Sequence, residues 1–329
     1  STMKSKNGII SSTDLQNYKV IERKPVFFKY RDKNVYSMPL PSSGGVILAN
    51  ILNQAENINF NKIKHHGEKF IHFLAEIEKN AYADRSQYLG DPDYVDAPLN
   101  VITSKEYSNY RFKKIDPLKA SDIDYVKPGV YDFESEETTH FSIIDQYNNA
   151  VSMTITLNGS FGSGIVVDGA GFLLNNEMDD FSIKPGHPNK YGLVGNESNK
   201  IEPGKRMLSS MTPTIVTNRT GNIELILGSP GGSTIITTIA QIIINVVDYG
   251  MPLQEAIDKP RFHHQYKPNI IFLEKGGFND LVKEKLIKMG HFLKERESIG
   301  AANSIFYKSQ QKLLFGVPDK RRGGFVSTN

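Results

Sequence analysis

The sequence predicts a layered α+β domain in which strands and helices are interleaved. Short apolar stretches with strand periodicity are separated by helical stretches, but the regular strand–helix alternation of a parallel sheet is missing. At 329 residues the chain is long enough to bury a substantial core. These observations allow either one large domain or two modest ones.

The N-terminal part of the chain contains predicted strands and helices followed by a loop. Ser11 and Ser12 are cap residues for a short first helix. Apolar residues at a period close to 3.6 mark the third helix most clearly. The acidic stretch 120–137 has the composition of a loop. The predicted strands are residues 26–30 and 34–38, and the predicted helices are residues 9–20, 43–53 and 66–83.

The C-terminal part begins with two alternating strands joined by the turn 146–149. Residues 182–206 are rich in Gly, Pro, Asn and Lys, which predicts a long loop of the kind that often acts as a lid. An apolar helix is expected directly after Gly231 and Gly232. The predicted strands are residues 141–145, 150–157, 171–174, 214–217 and 223–227, and the helix is residues 233–248.

Composition excludes several classes of protein. The chain has 39 Lys+Arg and 36 Asp+Glu, a net charge of +3, which argues against nucleic acid or an anionic membrane as the main partner. No apolar run reaches the roughly 20 residues of a membrane span, and residues 1–8 lack the apolar core of a signal peptide. The absence of cysteine excludes disulfides, thiol catalysis and thiolate metal sites.

A Thr-Thr pair, Thr138 and Thr139, stands where the acidic loop gives way to an apolar strand. A backbone cut between Glu137 and Thr138 would leave a hydroxyl and a free α-amine on one residue. The amine titrates at about 7.7–8.0, so it could act as the base that a threonine hydroxyl needs for attack on a carbonyl. Taken alone the pair favours a structural role, since threonine is a common strand residue.

The pair belongs to a series of motifs in fixed order. Together they closely resemble the γ-glutamyltransferases (γ-glutamyl transpeptidases), which are N-terminal nucleophile hydrolases. The resemblance covers nearly the whole chain: the C-terminal part of the large subunit and then the whole small subunit. The motifs are Pro41-Ser-Ser-Gly-Gly45, Ala81-Tyr-Ala-Asp-Arg-Ser86, Thr138-Thr-His-Phe-Ser142, Asn175-Asn-Glu-Met-Asp-Asp-Phe-Ser182, Leu208-Ser-Ser-Met-Thr-Pro213 and Gly228-Ser-Pro-Gly-Gly-Ser233.

The resemblance implies a four-layer αββα sandwich that lacks some N-terminal elements, and it implies roles for individual residues. Thr138 would be the nucleophile, hydrogen-bonded by Thr156, with the amides of Gly231 and Gly232 as an oxyanion hole. Tyr191 would be a lid tyrosine. Residues implied to bind the donor's α-amino group are Asn158, Glu177 and Asp180, and those implied to bind its α-carboxylate are Ser209 and Ser210.

The chemistry of these residues suits such roles, although each has a structural alternative. A glycine turn at the start of a helix presents unpaired N–H groups that stabilise negative charge. Two carboxylates three residues apart can accept bonds from an ammonium group, and serine hydroxyls can donate to a carboxylate. Equally, Asp180 could be a turn residue, Asn158 could end a strand, and Ser209 and Ser210 could cap a helix.

No metal or other cofactor is expected. His140, His263 and His264 invite a metal or base interpretation, but their spacing matches no known ligand pattern, so we expect structural roles.

The expected activity is that of a self-processing γ-glutamyl hydrolase/transferase. The donor would be glutathione or a related γ-glutamyl compound, and the acceptor water, an amino acid or a peptide. Residues 1–137 and 138–329 would form one intertwined domain, the cleaved halves remaining associated as a heterodimer. Relatives are usually periplasmic or extracellular.

The resemblance begins part-way through the family's large subunit. The family portion upstream of that point supplies core strands and an arginine that binds the donor carboxylate, and no residue here matches that arginine; Arg85 matches another segment. Thr234 stands where many relatives carry arginine. Two alternatives therefore stay open. One is a relative acting on poly-γ-glutamate or on acyl side chains. The other is an impaired, truncated homologue with a binding or structural role, for which association with a missing N-terminal segment is an open alternative.

Overall fold

The structure is a computed structural model that describes residues 2–122 and 136–328, with the backbone alone at Glu136 and Glu137. Its strands are β1 (Val26–Tyr30), β2 (Lys33–Ser37), β3 (Glu136–Ile144), β4 (Ala150–Gly159), β5 (Thr214–Thr217), β6 (Ile223–Leu227), β7 (Phe262–His263), β8 (Ile271–Glu274), β9 (Leu293–Arg296), β10 (Ser304–Lys308) and β11 (Leu313–Val317). Its helices are α1 (Thr2–Ser5), α2 (Ser12–Asn17), α3 (Gly44–Ala55), α4 (Glu68–Tyr88), α5 (Leu99–Ile102), α6 (Lys105–Phe112), α7 (Ile235–Val247), α8 (Leu253–Asp258) and α9 (Asp280–Lys288).

A six-stranded antiparallel sheet forms the centre of the fold, in the order β1-β2-β5-β6-β10-β11. Its first two strands precede residue 137 and the other four follow residue 138, so both parts of the chain contribute to one sheet. A separate small sheet pairs β7, β8 and β9.

Three helices, α3, α4 and α7, pack together as a layer, and α3 also contacts β1 and β2. Helix α7 is buried from Ile235 to Asn245: its isoleucines pack in the core, and its polar side chains bond internally, Gln241 to the Phe262 carbonyl at 2.6 Å and Asn245 to the Ala256 carbonyl at 3.2 Å. Helix α4 buries the apolar stripe predicted from its period, including Phe70, Ile71 and Leu74.

The hairpin β3–β4 lies against β5, β6 and β10 as a third layer. The hydroxyl of Ser142 is 3.2 Å from the carbonyl oxygen of Ile226, and that of Ser152 donates to the carbonyl of Leu227 at 2.9 Å. The inward side chains of the hairpin are largely polar. Its outward face is apolar and exposed: Ile143, Val151, Met153 and Ile155.

Most predicted elements are confirmed within a few residues, and the long loop at 182–206 is confirmed apart from a short 3₁₀ turn at Glu197–Asn199. The prediction of a helix over residues 9–20 was wrong in extent, because α2 covers only Ser12–Asn17 and buries no side chain. The prediction of a strand at 171–174 was wrong: Leu173 makes only an isolated bridge with Val166. Residues 123–135 of the predicted acidic loop lie outside the described residues, and 136–137 already belong to β3.

One close approach ties the hairpin to the six-stranded sheet. A Cβ atom added at Gly228, just after β6, would lie 2.2 Å from Cε1 of the buried His140 ring. The backbone beside the predicted oxyanion turn is therefore packed directly against the nucleophile strand.

We expect Gly228→Ala to lower the free energy of unfolding by about 1–3 kcal/mol, because the methyl group must displace His140. Denaturant unfolding of Gly228→Ala, His140→Ala and the double variant would measure the coupling. The double variant should be more stable than the sum of the single effects by about 1 kcal/mol. Strictly additive effects would contradict this contact.

Candidate active site

Thr138 lies near the start of β3, opposite Thr156 on β4. The two hydroxyl oxygens are 3.3 Å apart, and Thr156 Oγ1 also accepts the backbone N–H of Asn158 at 2.9 Å. A hydroxyl that already accepts a bond from a backbone amide is fixed in place. Thr156 can therefore orient the Thr138 hydroxyl, as expected for a residue that supports a nucleophile.

The strand register shifts beside the Glu137–Thr138 bond. Glu136 pairs with Gly159 while Thr138 pairs with Thr156, which leaves one extra residue on β4. Asn158 takes up this bulge with a left-handed φ of 69°. Asn176 holds it: its carbonyl accepts the Asn158 side-chain amide at 3.2 Å, and its Oδ1 accepts the Gly159 N–H at 2.8 Å. Thr156 and Asn158 both line the pocket, and Asn158 does so from within the bulge.

The turn between β6 and α7 carries Gly231 at φ 138° and Gly232 at φ 52°, conformations that favour glycine. Among the described residues neither amide N–H has an acceptor. A Cβ atom added at Gly232 would meet the Tyr191 ring at 3.0 Å. The turn thus offers free amides beside the nucleophile, in a conformation that other residues adopt poorly.

These parts surround a pocket of about 320 Å³. The lining residues are Thr138, Thr156, Asn158, Asp180, Tyr191, Leu193, Ser209, Ser210, Met211, Gly232, Ser233 and Ile235.

The acidic side of the pocket is Asp180, at the end of a 3₁₀ turn over Glu177–Asp180. Burial, with repulsion from Glu177, raises the pKa of Asp180 to about 7, while the positive charge of Arg85 opposes the rise. Burial also raises the pKa of Glu177 to about 7. Carboxylates with raised pKa values in a cleft are typical of functional sites, since a ligand cation would stabilise their charged forms.

Ser209 and Ser210 also line the pocket. The segment 208–212 is held by the loop before α3: the Ser42 hydroxyl donates to the Met211 carbonyl at 2.7 Å, and the Ser43 hydroxyl donates to the Ser209 carbonyl at 2.7 Å. Gly44 allows this approach, because a Cβ atom there would lie 2.2 Å from the Met211 oxygen.

Tyr191, from the long loop, also lines the pocket. It is 5% exposed, its hydroxyl donates to the Asn158 carbonyl at 2.5 Å, and its own carbonyl accepts from Gln265 at 2.7 Å. These bonds hold the long loop beside the pocket.

The three candidate histidines are buried and bonded to neutral groups. His140 lies 2.8 Å from the Thr154 hydroxyl, His263 lies 2.9 Å from the Thr237 hydroxyl, and His264 lies 3.1 Å from Asn269 Oδ1. Burial lowers the pKa of His140 to about 4 and that of His263 to about 3. Within the described ranges no cluster of His, Cys, Asp or Glu could hold a metal ion.

Of the ten residues assigned roles from the sequence, eight line the pocket; Glu177 and Gly231 lie beside it. For Glu137, which precedes the predicted cleavage site, the structure describes the backbone alone. Sequence reasoning missed Asn176, which holds the bulge, and Ser43 and Arg85, which lie behind the serines. The Pro41-Ser-Ser-Gly-Gly45 motif carried a signal for Ser43, since paired glycines indicate a close approach of two backbones.

Comparison with known proteins adds the family. The sequence profile described as γ-glutamyltranspeptidase matches residues 1–328. A curated relative, the glutathione hydrolase proenzyme of Escherichia coli strain K12, is 46% identical over 320 residues, covering 97% of this chain and 55% of the relative. The chain spans about half the length of the curated relatives it matches.

Solved structures agree. A mutant of Helicobacter pylori γ-glutamyltranspeptidase is 51% identical with a TM-score of 0.53, covering 56% of this chain and 99% of that chain. Cephalosporin acylase from Bacillus halodurans has a TM-score of 0.81 over 99% of this chain and 56% of that chain, at 23% identity, and this likeness concerns the fold alone. Since the family profile extends from residue 1 to residue 328, the chain belongs to the γ-glutamyltranspeptidase family.

Proposed function

We propose that this chain carries the catalytic site of a self-processing γ-glutamyl hydrolase/transferase. The observation that carries the proposal is one pocket that Thr138 lines together with the carboxyl residue Asp180 and with Ser209 and Ser210. A γ-glutamyl donor has the matching features: a scissile amide at one end, and an α-ammonium with an α-carboxylate at the other.

Self-processing comes first in this proposal. The Thr138 hydroxyl, oriented by Thr156, attacks the carbonyl carbon of Glu137, the peptide nitrogen leaves, and an ester forms by N→O acyl shift. This shift frees the α-amine of Thr138, and water then hydrolyses the ester, which gives Glu137 a terminal carboxylate and returns the hydroxyl to Thr138. The amine can now take the hydroxyl proton, so that Thr138 becomes a nucleophile with its own base.

In turnover, Thr138 attacks the γ-amide of glutathione or a related donor. The amides of Gly231 and Gly232 stabilise the oxyanion, a contribution of about 2.7–4 kcal/mol per donor. The amine leaves with a proton, and a γ-glutamyl ester remains on Thr138. Water releases glutamate from this ester, whereas an amino acid or peptide amine takes the γ-glutamyl group.

The donor's α-ammonium is bound by Asp180, with Asn158 and Glu177, and its α-carboxylate by Ser209 and Ser210. Tyr191 closes over the glutamyl group and excludes water from all but one approach. These residues also favour a γ-glutamyl donor over a bulky acyl group. An apolar acyl group would displace water from the charged and hydroxyl-bearing side chains without offering them hydrogen bonds, which is unfavourable.

We further infer a four-layer αββα architecture in which residues 1–137 and 138–329 form one intertwined domain, and in which the cleaved halves stay together as a heterodimer. The six-stranded sheet supports this, because it takes strands from both sides of the cleavage site. The exposed apolar face of β3–β4 supports a fourth layer that packs on it. No helix among the described residues is long and apolar enough to cross a membrane, and the proposed activity would suit a periplasmic or extracellular enzyme.

Replacing the nucleophile tests the proposal directly. Thr138→Ala should leave the chain uncut in a denaturing mass spectrum and should lower release of a chromogenic amine from a γ-glutamyl anilide by more than about 1,000-fold. Thr138→Ser should still cut, because it keeps a hydroxyl. Thr139→Ala is the matched control, since that neighbour is exposed on the outer face of β3. Turnover by Thr138→Ala would contradict the assignment of Thr138 as the nucleophile, whereas an uncut unsubstituted chain without turnover would favour an impaired homologue with a binding role.

The raised pKa of Asp180 predicts that ionisation of its carboxyl lowers the free energy of unfolding. A carboxyl whose pKa rises from about 4 in the unfolded chain to about 7 in the folded one favours folding when protonated, and this contribution is lost progressively as pH rises from about 4 to about 7. Between pH 5 and pH 8 the unsubstituted protein should therefore lose about 2–3 kcal/mol of free energy of unfolding that Asp180→Asn does not lose, and Asp180→Asn should also lose donor turnover. Asp179→Asn is the control, because that carboxylate lies outside the pocket lining and accepts the Lys190 N–H. The same pH dependence in Asp180→Asn and the unsubstituted protein would refute the prediction.

A further inference from the structure

Arg85, on α4, is a buried cation that forms no ion pair with any residue that the structure describes. The residue is 5% exposed, and among the described residues no carboxylate oxygen lies within 4.0 Å of its guanidinium group. Arg261, which is also buried, instead has the Asp319 carboxylate at 2.6 Å. Because an unpaired buried charge is strongly unfavourable, the position of Arg85 calls for an anion that the described chain does not supply.

The contacts of Arg85 lead to the donor pocket. Its Nε donates to the Ser43 hydroxyl at 2.9 Å, and its Nη2 donates to the Ser210 hydroxyl at 3.2 Å, with the Leu208 carbonyl further away at 3.5 Å. Ser43 in turn donates to the Ser209 carbonyl. One guanidinium group therefore fixes both serines of the pocket wall, directly at Ser210 and through Ser43 at Ser209.

These bonds also set the direction of the hydroxyl protons. Ser210 Oγ accepts from Arg85, and Ser209 Oγ accepts from the Met211 N–H at 3.1 Å. Neither hydroxyl proton has an acceptor within the described part of the chain. A hydroxyl that accepts a bond from a cation becomes a stronger donor itself. Both hydroxyls line the pocket with Thr138, so both are prepared to donate to an anion there.

We propose, on the basis of the proposed function, that Arg85 is a positioning residue for the donor's free α-carboxylate. It orients Ser210 and supplies the positive potential that draws a carboxylate into the pocket beside Asp180. Arg85 and Asp180 then form the two poles of a site for a zwitterionic amino-acid end, and donors that lack a free α-carboxylate are rejected. The opposing effect of Arg85 on the pKa of Asp180 is consistent with the two groups sharing this site.

The test is calorimetric binding of L-glutamate and of its α-carboxamide, L-isoglutamine. Arg85→Met should weaken glutamate binding by about 10- to 100-fold, the range for loss of a charge-assisted hydrogen bond, and should change isoglutamine binding by less than about threefold. Arg85→Lys should fall between the unsubstituted protein and Arg85→Met, because it keeps the charge and loses the fork. Arg111→Met is the matched control: Arg111 lies on α6, donates to the Asn80 carbonyl, and should leave both affinities unchanged.

Each possible binding result either supports the proposed role of Arg85 or overturns it. Unchanged glutamate binding by Arg85→Met, or equal loss for both ligands, would overturn the proposal, because a purely structural arginine does not distinguish a carboxylate from a carboxamide. Failure of the unsubstituted protein to bind glutamate would overturn it as well. Turnover of a γ-glutamyl anilide is measured separately: discrimination through Arg85 without turnover would refute the proposed function and leave this inference standing.

Discussion

The site depends on the hairpin β3–β4 being held with its polar face against the six-stranded sheet. Ser142 and Ser152 bond to the backbone of β6, and the Ser152 hydroxyl also accepts the Thr214 N–H of β5 at 3.0 Å. His140 lies against Gly228, which closes the remaining gap. These contacts set the height of β3 above the start of α7, and so they place the Thr138 hydroxyl beside the amides of the Gly231–Gly232 turn.

This arrangement reverses the usual pattern of a hairpin, in which apolar side chains face the core. The inward positions of β3 and β4 include threonine, serine and histidine, whereas Ile143, Val151 and Ile155 point outward and are exposed. The inward polar residues satisfy one another and the sheet backbone, as His140 does with Thr154. The nucleophile strand is thus fixed mainly by hydrogen bonds, which have directional requirements that apolar packing lacks, and this precision suits a catalytic hydroxyl.

The sequence was sufficient to predict elements whose apolar periodicity agrees with the helix-start or turn residues that flank them. Helix α4 follows an apolar stripe, and α7 follows a pair of glycines. It was not sufficient where tertiary contacts decide. The stretch 171–174 has strand composition but lacks a ladder of partners, and Asn158 looks like an ordinary strand residue although it occupies a bulge held by Asn176. The motifs and their order along the chain predicted most of the pocket residues. The contacts of Arg85 with the pocket serines could not be predicted, because they form only when the fold brings segments 41–45 and 208–212 together.

The pocket region contains one acidic and one basic side chain in unfavourable surroundings, Asp180 and Arg85, and their charges are of opposite sign. Burial raises the pKa of Asp180, while Arg85 remains without a carboxylate among the described residues. A direct ion pair would lower the free-energy cost of burying both charges, yet no contact within 4.0 Å joins Asp180 and Arg85. A ligand with an ammonium at one end and a carboxylate at the other relieves both at once. Under the proposed function, this separation of the two charges favours a zwitterion over either ion alone, because only a zwitterion complements both Asp180 and Arg85.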